Sequence, residues 1–138
     1  MSISTNNNVT LNLSFDEFRE VLEKIQAVAL DIQEHEYSRD IGISKLAKIH
    51  EQTAYLLSIY INNMENTREA QSNLDKLRNM KQDSLRKTRQ IATYAENYYG
   101  AMARLQHHND LATEKDKDYL AISNKWTDVK ERIEVLLK

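Results

Sequence analysis

The four histidines are the side chains of this chain best suited to acid–base or metal chemistry, because the sequence contains no cysteine. His35 stands between two glutamates, His50 precedes Glu51, and His107 is followed directly by His108. No two histidines have the three- or four-residue spacing that places two metal ligands on one face of a helix. Adjacent helical residues point about 100° apart, so His107 and His108 do not converge on one ion. The sequence therefore predicts no metal site.

The sequence also lacks the arrangements that other kinds of catalysis require. It has only two glycines, too few for a glycine-rich loop that would hold a nucleotide phosphate. No serine lies in a nucleophile-elbow motif, and no pair of carboxylates stands out from an ordinary charged helix surface. We therefore predict that the chain is not an enzyme and has no catalytic residue and no cofactor.

Acidic and basic residues are concentrated in different parts of the chain. Residues 75–90 contain six basic and two acidic side chains, whereas residues 16–40 contain eight acidic and three basic ones. Opposite charges of this kind favour complementary surfaces within a bundle or across a dimer. Nucleic-acid binding is not favoured, because the isoelectric point is about 6.1 and no aromatic side chain lies in the basic segment. A helical nucleic-acid-associated or phage-encoded regulatory protein that uses residues 76–89 is the alternative function.

Three tyrosines, Tyr94, Tyr98 and Tyr99, form the densest aromatic group of the sequence. Aromatic residues at helical spacing usually pack in a core, in this chain against Trp126 or Ile25. The functional interpretation is contact with a protein partner, since tyrosine and tryptophan are enriched at the centres of interfaces. The hypothesis of partner binding covers seven residues: Leu74, Leu77, Tyr94, Tyr98, Tyr99, Met102 and Trp126.

The composition predicts an all-α protein, because the chain has no proline and only two glycines for the turns of a sheet. Its 138 residues are enough for one domain, which we place at residues 14–138 behind a flexible polar tail at 1–13. Ser14 and Glu17 fit a capping box at the start of a helix over residues 14–37. A short strand at residues 9–13 is the alternative for the end of the tail.

The next segment, residues 43–107, keeps a nearly strict heptad pattern of apolar residues from Leu46 to Leu105. This continuity favours one very long helix, since a turn normally resets the phase of the pattern. The alternative is a hairpin near Asn62–Asn66, where the sequence is polar. Together with a last helix at residues 110–138, the chain is expected to form a long coiled coil or an elongated three-helix antiparallel bundle, or four helices if the hairpin forms.

The N-terminal segment carries no secretory signal, because it lacks both a positive start and an apolar stretch. No run of apolar residues approaches the 18 that suggest a membrane-spanning helix. We therefore expect a cytoplasmic protein without a membrane span, or one exported by a route other than Sec.

An uncharged N-terminus rich in Ser, Thr, Asn and Ile, ahead of cysteine-free coiled coil, resembles small substrates and accessory subunits of bacterial type III secretion systems. A helical hairpin would be similar to type VII secretion substrates or their partner chaperones. The chain departs from that second pattern, because Trp126 is followed by Thr127 rather than by X-Gly and no Tyr-x-x-x-Asp/Glu signal is present. The resemblance implies a virulence-related interaction subunit. Its protein partner would join it in a homo- or hetero-oligomer through coiled-coil packing.

Overall fold

A computed structural model describes residues 13–35, 40–64, 72–108 and 117–138. These residues form four α-helices and no strand, which confirms the prediction of an all-α protein. The helices are α1 (Phe15–His35), α2 (Asp40–Met64), α3 (Leu74–His107) and α4 (Tyr119–Leu137). None of these four helices is both long enough and apolar enough to cross a membrane.

The residue contacts divide the chain into two compact units, Met1–Leu85 and Arg86–Lys138. Unit 1 contains α1, α2 and the first turns of α3, and unit 2 contains the rest of α3 and α4. The expectation of a single domain over residues 14–138 stays a prediction.

Helix α1 begins with the capping box that the sequence predicts. The Ser14 backbone N–H donates to Glu17 Oε1 over 2.9 Å, and the Glu17 N–H donates to Ser14 Oγ over 3.2 Å. Two N–H groups that would otherwise lack helical partners are satisfied in this way. Both hydrogen bonds to Ser14 lower the pKa of the Glu17 carboxyl. The charged form of Glu17 therefore supports the start of the helix.

Unit 1 has its own apolar core, formed by α1, the end of α2 and the start of α3. Phe18 and Tyr60 are stacked at its centre, with ring centroids 4.1 Å apart and planes 6° from parallel. The Tyr60 hydroxyl donates to the Leu13 carbonyl over 3.2 Å, and the Leu13 side chain packs against the same core. Leu13 therefore belongs to this core, while residues 1–12, the rest of the predicted flexible tail, lie outside the described residues. The buried members of the core are Phe15, Phe18, Leu22, Leu57, Tyr60, Ile61, Leu74 and Leu77.

The prediction of one helix over residues 43–107 is wrong, because α2 ends at Met64 and α3 begins at Leu74 after a turn at residues 72–73. In one straight helix, Tyr60 and Leu77 would be about 26 Å apart. They belong instead to the same core, so the chain reverses between them. The alternative of four helices is confirmed, with the break between Met64 and Leu74 rather than at Asn62 and Asn63, which belong to α2. Burying both apolar faces within one chain outweighs the continuity of the heptad pattern across the polar segment.

Helix α4 begins nine residues later than predicted, at Tyr119 rather than at residue 110. Residues 117–118 are not helical, and the N-cap is Asp118, whose Oδ1 accepts from the Ala121 N–H over 3.0 Å. The predicted caps, Asn109 and Asp110, lie outside the described residues. Several Asn and Asp residues between α3 and α4 are suitable caps, and the sequence pattern does not choose among them.

Candidate interaction surface

The tyrosines singled out in the sequence form a continuous aromatic series within unit 2. Tyr94 and Tyr98 lie nearly parallel with ring centroids 6.2 Å apart, and Tyr98 meets Tyr99 edge to face at 5.1 Å. Tyr99 in turn lies nearly parallel to Tyr119 of α4, at 6.3 Å. Aromatic pairs at these separations attract one another beyond the effect of burial alone. The series therefore links the surface of α3 to its contact with α4.

Two of these rings reach the surface and two help to hold them in place. Tyr94 and Tyr98 are 40% and 38% exposed, whereas Tyr99 and Tyr119 are buried. Leu105, which is 39% exposed, lies on the same face of α3, because residues 94, 98 and 105 fall within about 40° around a helix. Tyr94, Tyr98 and Leu105 together are named the α3 stripe. This stripe is apolar, partly accessible and supported from beneath.

A polar cluster centred on Glu96 joins α3 to α4. Lys130 Nζ donates to Glu96 Oε1 over 2.7 Å, and the Thr127 hydroxyl donates to Glu96 Oε2. The Ser123 hydroxyl donates to the backbone carbonyl of Glu96 over 3.0 Å. The side chains of Lys130 and Glu96 are 25% and 20% exposed, so water screens this pair less than one on the open surface.

Each member of this pair stabilises the charged form of the other. The hydrogen bonds from Lys130 and Thr127 lower the pKa of Glu96. The hydrogen bond to Glu96 is also the main cause that raises the pKa of Lys130. Both groups are therefore charged at neutral pH, and the cluster holds α4 against the face of α3 opposite the stripe.

The two helices are close together near Gly100. A Cβ atom at this position would lie 3.5 Å from Ser123 Oγ and 3.8 Å from an Arg104 nitrogen, which are ordinary contact distances. The helix continues through Gly100 to His107. Near the last residue of α3 and just before the first residue of α4, Gln106 Nε2 donates to the Lys117 carbonyl over 2.6 Å.

The other residues of the partner-binding hypothesis are less accessible. Leu74 and Leu77 lie in the core of unit 1, and Leu77 is fully buried. Met102 and Trp126 are half-buried, and Tyr99 supports the stripe from beneath. The heptad pattern includes Leu105, but the partner-binding hypothesis did not, although its spacing from Tyr98 places it on the same face. The sequence pattern did not indicate the Glu96 cluster.

His35, His107 and His108 lie at helix ends, and His50 is half-buried within α2. His35 Nδ1 lies 3.0 Å from the Asp31 carbonyl oxygen and 3.1 Å from Asp31 Oδ1, and these two contacts raise the pKa of His35. His107 and His108 meet edge to face at 5.4 Å. Among the residues that the structure describes, no three His, Asp or Glu side chains form a group that could hold a metal ion.

The basic segment of α3 alternates with buried residues. Leu77, Leu85 and Thr88 point inward, while Lys76 and Lys87 are exposed. The Lys76 ammonium lies 6.0 Å from the centre of the Phe15 ring, which is near the limit of a cation–π contact. Comparisons with protein-family models, with curated proteins and with solved structures found no match to this chain.

Proposed function

We propose that this chain is a non-catalytic interaction subunit that binds a protein partner through the α3 stripe. The observation that carries the proposal is the exposure of Tyr94, Tyr98 and Leu105 on one face of a helix whose other large apolar residues are buried or half-buried. Interface hot spots are rich in tyrosine and are surrounded by packed residues that exclude water.

The support beneath the stripe favours binding. Tyr98 meets Tyr99, which is itself packed against Tyr119, and the Glu96 cluster holds α4 on the opposite face of α3. A side chain that is already ordered loses little conformational entropy when a partner binds. Burying these three side chains contributes to affinity without a large cost of ordering them.

A helix is the form of partner that suits this surface. The stripe is a straight row along one face of α3, and a row of this kind packs against a second amphipathic helix as in a coiled coil. Packing of the coiled-coil type is therefore part of the proposal. The flexible tail, the relation to type III or type VII secretion and the cellular location stay predictions. The alternative, a regulatory protein that binds nucleic acid through residues 76–89, stays one as well.

A photo-crosslinking amino acid at position 98 tests the proposal in cells of the source organism. Tyr55 of α2 is 49% exposed and belongs to unit 1 rather than to the stripe, so the same amino acid at position 55 is the matched control. The expected result is one discrete crosslinked product from position 98 that is absent from position 55. Leu105→Lys should remove this product without lowering the melting temperature. Equal or no crosslinking from the two positions would contradict the proposal.

A further inference from the structure

We infer that the partner of the α3 stripe is helix α1 in a second copy of this chain, through an apolar row that is flanked by acidic residues. The inference rests on the proposed function, since it names the occupant of the same surface. Two observations carry it: a second accessible apolar row, and opposite charges beside the two rows.

The second row lies on α1. Val21 and Val28 are 39% and 54% exposed, and Ile25 between them is half-buried. These three residues, named the α1 stripe, fall within about 60° around the helix. They flank the buried face of α1 that contains Phe18 and Leu22. The chain therefore leaves a second apolar row accessible, and that row is in unit 1.

The charges beside the two stripes are opposite in sign. Helix α1 contains six carboxylates and two basic side chains, and the exposed Glu20 and Asp31 flank the α1 stripe on one side, near its two ends. On α3, the exposed Lys87 lies in line with the stripe two turns before Tyr94, and the exposed Arg104 flanks the stripe beside Leu105. Lys24 is the one basic side chain within the α1 row. The charges beside the stripes still favour contact between them, because neither end of the contact brings like charges together.

The charged side chains beside the two stripes differ in spacing by about 9 Å. Lys87 and Arg104 are separated by about 26 Å along α3, and Glu20 and Asp31 by about 17 Å along α1. Lysine, arginine and glutamate side chains each extend several ångströms and can make up the difference. Each copy carries both stripes, so the contact can be made reciprocally in a dimer or repeated along an open chain.

A charge exchange tests the inference by sedimentation equilibrium over a range of protein concentrations. One variant carries Lys87→Glu and Arg104→Glu, and the other carries Glu20→Lys and Asp31→Lys. Each variant alone should associate about tenfold more weakly than the unchanged protein, because charges at both ends then repel. An equal mixture should recover the association, since the reversed charges of one variant then face those of the other. Raising the salt concentration should weaken the association of the unchanged protein and that of the mixture alike.

Controls separate loss of contact from loss of structure. Lys45→Glu with Lys48→Glu makes the same change of charge on exposed residues of α2 and should leave association unchanged. Val28→Arg provides a variant in the apolar row itself, and it should weaken association while the helical circular dichroism is retained.

The outcomes distinguish the inference from the proposed function. A protein that stays monomeric, but crosslinks to a different chain from position 98, overturns the inference and leaves the proposed function in place. A monomer without that crosslink contradicts both. Association that the two charge variants leave unchanged, or that their mixture fails to restore, also overturns the inference.

Discussion

Lys130 Nζ lies 2.7 Å from Glu96 Oε1, although the two residues are 34 positions apart in the chain. This ion pair, together with Thr127, is the main polar connection described between α3 and α4. The stability of unit 2 therefore depends in part on the charge of the Glu96 carboxyl group.

We expect acid to lower the free energy of unfolding by protonating Glu96, and we expect Glu96→Gln to remove this part of the pH dependence. Its pKa is lowered from 4.5 by hydrogen bonds from Lys130 and Thr127, so its stabilising effect is full above pH 4.5. The effect is lost as the pH falls through the lowered pKa, because the unfolded chain binds the proton more readily. Glu96→Gln should reduce the free energy of unfolding by about 1 kcal/mol at pH 7.

Denaturant unfolding from pH 7 to pH 3 measures this difference. The difference in the free energy of unfolding between the unchanged protein and Glu96→Gln should become smaller below pH 4.5. Asp128→Asn, on the exposed side of α4, is the control and should change little. A gap of constant size at all pH values would show that the Glu96 charge does not stabilise unit 2.

We expect the Leu77 side chain to contribute to the stability of the fold, because it is buried in the core of unit 1. Its side chain is fully buried, so Leu77→Ala should lower the free energy of unfolding by about 3 kcal/mol through lost burial and a cavity. Leu120→Ala, on the exposed side of α4, should change it by less than about 0.5 kcal/mol. Denaturant titration followed by circular dichroism compares the two variants. Equal effects would mean that the core does not include Leu77.

Local patterns were predicted from the sequence better than distant contacts. The Ser14–Glu17 capping box involves residues three positions apart, and its pattern alone identified it. The break between α2 and α3 was only the alternative prediction, because the heptad phase continues from Tyr60 to Leu74 and favoured one continuous helix. In physical terms, spacing records which residues are apolar but not which chain segment covers them.

The candidate surface shows the same limit. The spacing of Tyr94 and Tyr98 placed both rings on one helix face, but exposure depends on which helices cover that face. The partner of Glu96 lies 34 positions away and follows from the packing of α4, which no local pattern contains. Leu74 looked like a member of the same seam as the tyrosines and instead belongs to the core of unit 1.

The capping box predicts a measurable contribution from the Ser14 side chain. Ser14→Ala removes the oxygen that accepts from the Glu17 N–H, and loss of such a cap costs about 1 kcal/mol. Ser44→Ala, at an exposed site within α2, is the matched control and should be neutral or slightly stabilising. The two variants are compared by denaturant unfolding at pH 7. A Ser14→Ala protein as stable as the control would show that the cap does not hold α1.

Gly100 predicts a substitution that makes the protein more stable. A Cβ atom there meets only ordinary contacts with Ser123 and Arg104, while glycine within a helix costs about 1 kcal/mol relative to alanine. Gly100→Ala should therefore raise the free energy of unfolding by about 0.5–1 kcal/mol, because it reduces the freedom of the unfolded chain. Gly100→Leu should destabilise the protein instead, since a larger side chain must displace Ser123 from the carbonyl of Glu96. Melting curves of the two variants decide the matter: destabilisation by alanine itself would mean that α3 and α4 approach at Gly100 more closely than these distances allow.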